Sequence, residues 1–143
     1  MPDASFLEGN AAATARLEKL IGRLSDGDLG RDLGGGWTVA VALSHLAFWD
    51  RRVAYVLTRW TDGGEPHSEL DDDVVNTALE ELHKAVEPRA AARLAVDAAK
   101  SADAAITRVP DAIASRLVAE DHAYLLRRTN HRTEHIEQIE AAL

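Results

Sequence analysis

The chain has 143 residues, of which 46% are hydrophobic and 28% charged, as expected of one globular domain over residues 1–143. Its formal net charge of −8 argues against nucleic acid as a partner, because phosphate groups would be repelled. Cysteine is absent, which excludes disulfides and thiolate metal sites, and no apolar segment approaches the roughly 20 residues that a membrane span requires.

Helical periodicity dominates the first half of the chain, whereas strand patterns are nearly absent. The first helix has apolar residues at spacings of three and four, and the turn-forming segment SDGDLGRDLGGG, residues 25–36, ends it. A second helix is predicted from Thr38, whose hydroxyl suits an N-cap, to about Trp60. The inward stripe of the first helix comprises Phe6, Asn10, Ala13, Leu17, Leu20 and Leu24. That of the second comprises Ala42, His45, Leu46, Trp49, Val53, Val56, Leu57 and Trp60.

The next part of the chain is predicted to form one broken helix. It follows the polar connection TDGGEPHSEL, residues 61–70, and three aspartates open it. The first piece runs to about Ala85, and Pro88 breaks or restarts the helix. An alanine-rich piece then continues to about Arg108.

The C-terminal part is predicted to be one continuous helix. Pro110 ends the alanine-rich piece, and the last helix begins somewhere between Ser115 and Asp121 and runs to the C-terminus. Four helical units without strands predict an all-α fold, a four-helix bundle with a broken third helix.

His131 and His135 lie four residues apart in the last helix, so both imidazoles face one side and can converge on one ion. A third ligand has to come from upstream. His45 is the candidate, because it lies on the inward stripe of the second helix. The alternative for His45 is a core histidine bonded to a carbonyl or a carboxylate. The remaining histidines fall in the polar connection or lack clear apolar neighbours: His67, His83 and His122.

The level of these three histidines in the bundle depends on the helix directions. At a rise of roughly 1.5 Å per residue, His45 lies about 10 Å from the start of its helix. By the same rise, His135 and His131 lie about 10 and 16 Å from the end of theirs. Antiparallel second and last helices would bring the rings to one level, whereas parallel helices would separate them by several ångströms. The connection over residues 61–70 is long enough for a crossover, which leaves both arrangements open.

Two segments, GWTVAVALSHLAFWDRR (residues 36–52) and HRTEHIEQIE (residues 131–140), resemble the DinB/YfiT-like proteins. That superfamily includes the N-terminal domain of the mycothiol-dependent maleylpyruvate isomerase and the bacillithiol transferases. The resemblance implies an up-down-down-up order of the four helices. It also implies that His45, His131 and His135 bind a divalent metal, with zinc or nickel as the expected ion.

Three polar or aromatic residues are candidates for the wall of a substrate pocket. Trp37 and Trp49 either pack in the core or line the pocket. Asn76, near the start of the third helix, either caps and packs or orients a ligand.

Two charged residues near the histidine pair are further candidates. Arg128 lies on the same helix face as the pair and either meets an anionic substrate or, with Arg127 and Arg132, belongs to a solvated face. Glu134 is a candidate general base, and its alternatives are to orient a ligand or to face water.

Three neutral imidazoles would leave a divalent cation with its full charge and an open position, the arrangement of a catalytic site. A thiol bound there would lose its proton readily, and without cysteine the sulfur has to arrive with mycothiol or another low-molecular-weight thiol. The leading hypothesis is a cytoplasmic, metal-dependent thiol S-transferase or isomerase that acts on a small molecule, without nucleic acid or membrane as a partner. The alternatives are a metal-dependent hydrolase and a non-catalytic bundle that binds a metal or ligand or forms a homodimer.

Overall fold

The computed structural model describes residues 2–64 and 72–143, and these residues are mostly helical. Within these ranges, seven α-helices and one short 3-10 helix accompany a two-stranded sheet. His67, in the predicted polar connection, lies outside the described residues. No helix in the described ranges is both long enough and apolar enough to span a bilayer. The helical content agrees with the predicted all-α class.

The first helix, α1, spans Ala4–Arg23. The Asp3 carboxylate caps it by accepting a hydrogen bond from a backbone N–H of the first turn at 2.7 Å. The predicted apolar stripe faces the interior, because most of its members are buried: Ala13, Leu17, Leu20 and Leu24.

A glycine-rich hairpin follows α1, after the one-turn helix α2 at Asp26–Leu29. Strand β1, Asp32–Gly34, pairs antiparallel with strand β2, Trp37–Thr38. The glycines at 34–36 turn the chain with φ values between +62° and +92°, which residues with a side chain rarely adopt. The expectation that strands are absent is wrong here, because strands of three and two residues are too short to show an alternating pattern.

The third helix, α3, spans Val39–Thr61 and begins at the predicted position. The Thr38 hydroxyl caps it by accepting a hydrogen bond from the Val41 N–H at 3.2 Å. Asp50 also lies on its buried side and is 0% exposed, although it was not part of the predicted stripe. The predicted members that are buried are Ala42, His45, Leu46, Val53 and Leu57, while Trp49, Val56 and Trp60 are half-buried.

Two helices, α4 at Asp72–Ala85 and α5 at Pro88–Thr107, form the predicted broken helix. Pro88 is the first residue of α5, and the Glu87 carboxylate caps that helix by accepting two backbone hydrogen bonds at 2.8 and 2.9 Å. The prediction of a break at Pro88 is confirmed. Helix α5 packs along α3 through small side chains, which include Ala91, Ala92, Ala95, Ala98, Ala99 and Ala102.

The C-terminal part differs from the predicted continuous helix. Helix α6 spans Asp111–Ala119, a 3-10 turn follows at Ala123–Leu125, and α7 spans Thr129–Ala142. Asp121 ends α6 in the left-handed conformation with a φ of 60°. The His122 N–H then donates a hydrogen bond to the Leu117 carbonyl at 2.7 Å. This Schellman arrangement usually contains glycine. The sequence pattern misses the helix end because an aspartate occupies that position.

The start of α7 is fixed by a residue of α1. Asn10 is 1% exposed. Its side-chain Oδ1 accepts hydrogen bonds from the backbone N–H groups of Arg128 and Thr129 at 2.8 and 3.1 Å. Its amide donates to the Leu126 carbonyl at 2.7 Å. Helix α7 therefore receives from α1 the cap that its own N-terminal side chain does not supply.

Two buried apolar clusters hold the helices together. The first joins α1, α3, α5 and α7 through residues such as Leu43 and Ile136. The second joins α3, α5 and α6 through residues such as Leu57 and Leu117. Because these clusters bury apolar surface without any bound group, the fold has a core of its own.

Candidate metal centre

The structure brings together three histidines from two helices, His45 of α3 and the pair His131 and His135 of α7. The nitrogen atoms that they can offer to a metal lie within 4.8 Å of one another. His45 Nε2 and His131 Nε2 are 3.1 Å apart, and the three ring centroids are separated by 4.8 to 5.1 Å. Two ligands of a tetrahedral zinc ion lie about 3.3 Å apart, so the cluster could hold a metal ion of that size.

His135 is positioned for coordination by its neighbours. Its Nδ1 donates to the Gln138 amide oxygen at 3.0 Å, which leaves the Nε2 lone pair available. The Trp37 ring stacks at a centroid distance of 6.2 Å from His135 and lies 4.8 Å from the His45 ring. The hairpin thus contributes one aromatic wall beside the cluster.

Arg128 contacts His131 and does not face solvent. It is 6% exposed, and its Nη2 donates to His131 Nδ1 at 2.9 Å. A guanidinium has no acceptor, so His131 Nδ1 accepts and His131 Nε2 bears the proton that it shares with His45 Nε2. A divalent cation held by His45 and His131 would have to displace that proton.

Two ring nitrogens near the cluster are buried without a hydrogen-bond partner among the described residues. They are His45 Nδ1 and His83 Nε2, in rings whose centroids lie 6.5 Å apart. His83 is 7% exposed, and its Nδ1 lies 2.7 Å from the Ser44 hydroxyl. No apolar pattern predicted a buried His83, yet α4 buries it against Ser44 of α3. Its neighbourhood extends the polar interior beyond the three histidines.

Burial keeps two of the three rings neutral. It lowers the pKa of His45 to about 3, and the neighbouring His135, His83 and Arg128 add to that shift. It also lowers the pKa of His131 to about 2, with the Arg128 guanidinium as the next cause. Only a neutral imidazole can coordinate a metal, so both rings have the required charge near neutral pH, although His131 Nε2 would still have to release the proton that it shares with His45.

We expect the metal-free protein to lose stability as the pH falls below about 6.5. His45 and His131 gain protons near that pH in the unfolded chain, whereas their pKa values in the folded protein are about 3 and about 2. The unfolded state therefore binds more protons as the pH falls, which removes up to roughly 1.4 kcal/mol of stability per pH unit for each ring. Urea unfolding in the presence of a metal chelator, at several values between about pH 7 and about pH 5, measures how steeply the free energy of unfolding changes with pH.

The matched control for this pH dependence is the double variant His45→Gln/His131→Gln, whose slope should be shallower. An unchanged slope in that variant would show that other groups cause the pH dependence.

Arg128 and Arg132 belong to a buried ion network. The Asp50 carboxylate accepts from Arg128 Nε at 2.7 Å and from Arg132 Nε at 2.8 Å. Arg132 is 0% exposed and also donates to Asp103 Oδ1 at 2.8 Å. The interpretation of these arginines as a solvated face is wrong for both, while Arg127 is exposed as that interpretation expects. The available signal was the position of Asp50, four residues after Leu46 and three before Val53 on the buried side of α3.

A cavity of about 510 Å³ opens onto the histidine cluster. The predicted pocket residues and the candidate base all line it: Trp37, Trp49, Asn76, Arg128 and Glu134. Arg52 and Tyr124, which no sequence pattern singled out, line it as well. The cavity therefore combines aromatic walls with charged groups next to the three imidazoles.

The two tryptophans of this cavity are held by hydrogen bonds that they donate to α4. The Trp37 indole N–H donates to the Glu80 carboxylate at 3.1 Å, and the Trp49 indole N–H donates to the Asn76 carbonyl oxygen at 2.8 Å. Asn76 thus orients a cavity wall. Glu134 is exposed at the cavity.

These features define a class, helical proteins in which histidines from two helices form a cluster beside a cavity. The family comparison gives the class a name, because the model of the DinB superfamily matches residues 11–139. The chain belongs to the DinB superfamily. No curated protein and no solved structure matches the chain.

Proposed function

We propose that this protein is a divalent-metal-dependent enzyme of the thiol S-transferase or isomerase type, with His45, His131 and His135 as the metal ligands. The observation that supports it is the position of three imidazoles, with nitrogens within 4.8 Å of one another, at a cavity of about 510 Å³. A volume of this size suits a small-molecule substrate. The proposed metal is zinc or nickel, which imidazole ligands suit.

A bound divalent cation would supply a positive charge that stabilises a thiolate at neutral pH. The protein has no cysteine, so the proposed thiol is external, either mycothiol or another low-molecular-weight thiol. Trp37 and Trp49 would shield the reacting sulfur from water. Glu134 is exposed at the same cavity and is our candidate for the base that accepts the thiol proton.

We also propose the up-down-down-up order of the helices, in which α1 and α7 run in one direction and α3 and α5 in the other. Residue numbers rise together in the contacts of α1 with α7, and they run in opposite senses in the contacts of α3 with α7 and of α1 with α5. This order puts His45 and the α7 pair on one level. The supporting pairs are Asn10–Thr129 and Arg16–Glu140, His45–His131 and Asp50–Arg128, and Thr14–Asp103 and Glu18–Lys100.

Glu134→Gln tests the proposed role of the carboxylate. We expect turnover to fall by about 100-fold, a typical loss for a general base, while zinc content stays at the wild-type level. The assay uses protein that has been stripped with chelator and reloaded with zinc or nickel, a panel of low-molecular-weight thiols that includes mycothiol, and a haloaromatic electrophile. Glu137→Gln is the matched control, because Glu137 lies on the same helix with its side chain exposed.

The outcomes of this assay separate the alternatives. The transferase proposal would be refuted if none of the thiols supports turnover with either metal. Metal-dependent hydrolysis of ester or phosphoester probes would then favour a hydrolase. Metal binding without either activity would favour a binding protein, for which a homodimer is a further proposal.

A further inference from the structure

We propose that Arg52 forms an anion subsite in the cavity, so that the thiol or its co-substrate bears a carboxylate or a similar anionic group. This inference rests on the proposed function, because it assumes that the reacting group lies at the three histidines. It concerns the end of the bound small molecule that lies away from the three histidines, whose chemistry the histidines do not determine.

Arg52 is held at the cavity wall by an aromatic contact. Its guanidinium carbon lies 5.7 Å from the centre of the Trp49 ring, and the Trp49 indole is fixed by Asn76 at 2.8 Å. The residue is half-buried and lines the same cavity as the three histidines. A stacked guanidinium keeps its N–H groups in the ring plane, where they remain available to a ligand.

Arg52 makes no ion pair within residues 2–64 and 72–143. The other arginine of the cavity, Arg128, is already bonded to the buried carboxylate of Asp50 at 2.7 Å. Two carboxylates, Asp72 and Glu134, line the cavity, but neither forms an ion pair with Arg52 in the described structure. The sequence interpretation of an arginine that meets an anion therefore fits Arg52 better than Arg128.

The charge distribution explains why an anionic group would bind more tightly than a neutral one beside Arg52. The whole chain has a net charge of −8, yet Arg52 contributes to the cavity a positive charge that no carboxylate of residues 2–64 and 72–143 pairs with. A guanidinium can bind a carboxylate through two parallel hydrogen bonds, which a neutral group of similar size cannot match. A neutral substrate would offer this half-buried cation no opposite charge.

The test compares thiols that differ only in charge at the far end. Mercaptocarboxylates of increasing chain length are titrated into cobalt-loaded protein beside mercaptoalcohols of the same length, and thiolate-to-cobalt absorption reports binding. We expect the acid to bind at least about tenfold more tightly than the alcohol at the length that spans the cavity. Arg52→Gln should abolish this preference and leave the alcohol affinity unchanged.

Arg51→Gln is the matched control, because the adjacent Arg51 lies over the Tyr55 ring and lines a different groove. It should keep the preference for the acid. Equal binding of acid and alcohol to wild-type protein, or the same loss in both arginine variants, would overturn the anion subsite.

A second measurement separates this inference from the metal proposal. The same acids and alcohols are titrated into metal-free protein while the Trp49 indole N–H resonance is followed by NMR. A shift with acids alone, lost in Arg52→Gln, supports the subsite even if no metal binds. No shift with either probe in a protein that also fails to bind metal would refute both proposals.

Discussion

Replacing Asp50 with asparagine is expected to lower the free energy of unfolding by about 3–5 kcal/mol, because the change breaks a buried ion pair. Asp50 is 0% exposed and accepts hydrogen bonds from Arg128 and Arg132, whose side chains are 7% and 0% exposed. An asparagine would remove the negative charge and turn an N–H group toward one of the guanidiniums. Chemical unfolding of metal-free protein, followed by circular dichroism, measures the loss.

Asp62→Asn is the matched control for this substitution. Asp62 follows α3 directly and pairs with Arg108 at 3.8 Å, with both side chains more than 60% exposed. Exposed pairs of this kind contribute at most about 1 kcal/mol, so the control should unfold almost as the wild type does. Similar losses in both variants would mean that the buried network is no more important than a surface pair.

His131→Ala is expected to weaken zinc binding by more than about 100-fold and to leave the protein folded. The substitution removes one of three proposed ligands, whereas loss of an outer hydrogen-bond partner alone costs about 10–100-fold. The apolar clusters around Leu43 and Leu57 do not depend on a metal, so the helical circular dichroism of the metal-free protein should persist. Competition with a chromogenic zinc chelator measures the affinity.

His67→Ala is the control for His131→Ala, because the sequence puts that histidine in the polar connection. Its zinc affinity should equal that of the wild type. Unchanged affinity in His131→Ala would refute the assignment of the ligands, and a largely unfolded metal-free wild type would show that the metal is structural.

Local patterns in the sequence predicted the parts of the fold that local chemistry decides. The Thr38 cap, the inward face of α3 and the break at Pro88 each depend on neighbouring residues alone. The gathering of His45 with His131 and His135 was predicted from the family resemblance, because the residue patterns alone left both helix arrangements open. Their role as metal ligands remains a prediction.

Long-range pairing explains what the sequence pattern missed. The sequence of α7 alone predicts a surface position for Arg132, whereas the fold buries it against Asp50 and Asp103 of two other helices. The buried state of His83 likewise depends on the packing of α4 against Ser44 of α3. The helix end at Asp121 was missed for a local reason, because aspartate rarely takes the conformation that glycine usually adopts there.

The cap that Asn10 provides to α7 has a consequence for the order of folding events. Asn10 and Arg128 are separated by 118 positions in the chain, so α7 cannot obtain its cap until α1 has docked. Closing a loop of that length is entropically costly and comes late relative to local helix formation. The histidine pair should therefore reach its final register only in the completed fold. If the pair binds a metal as we propose, the complete site would form only after α1 and α7 have docked.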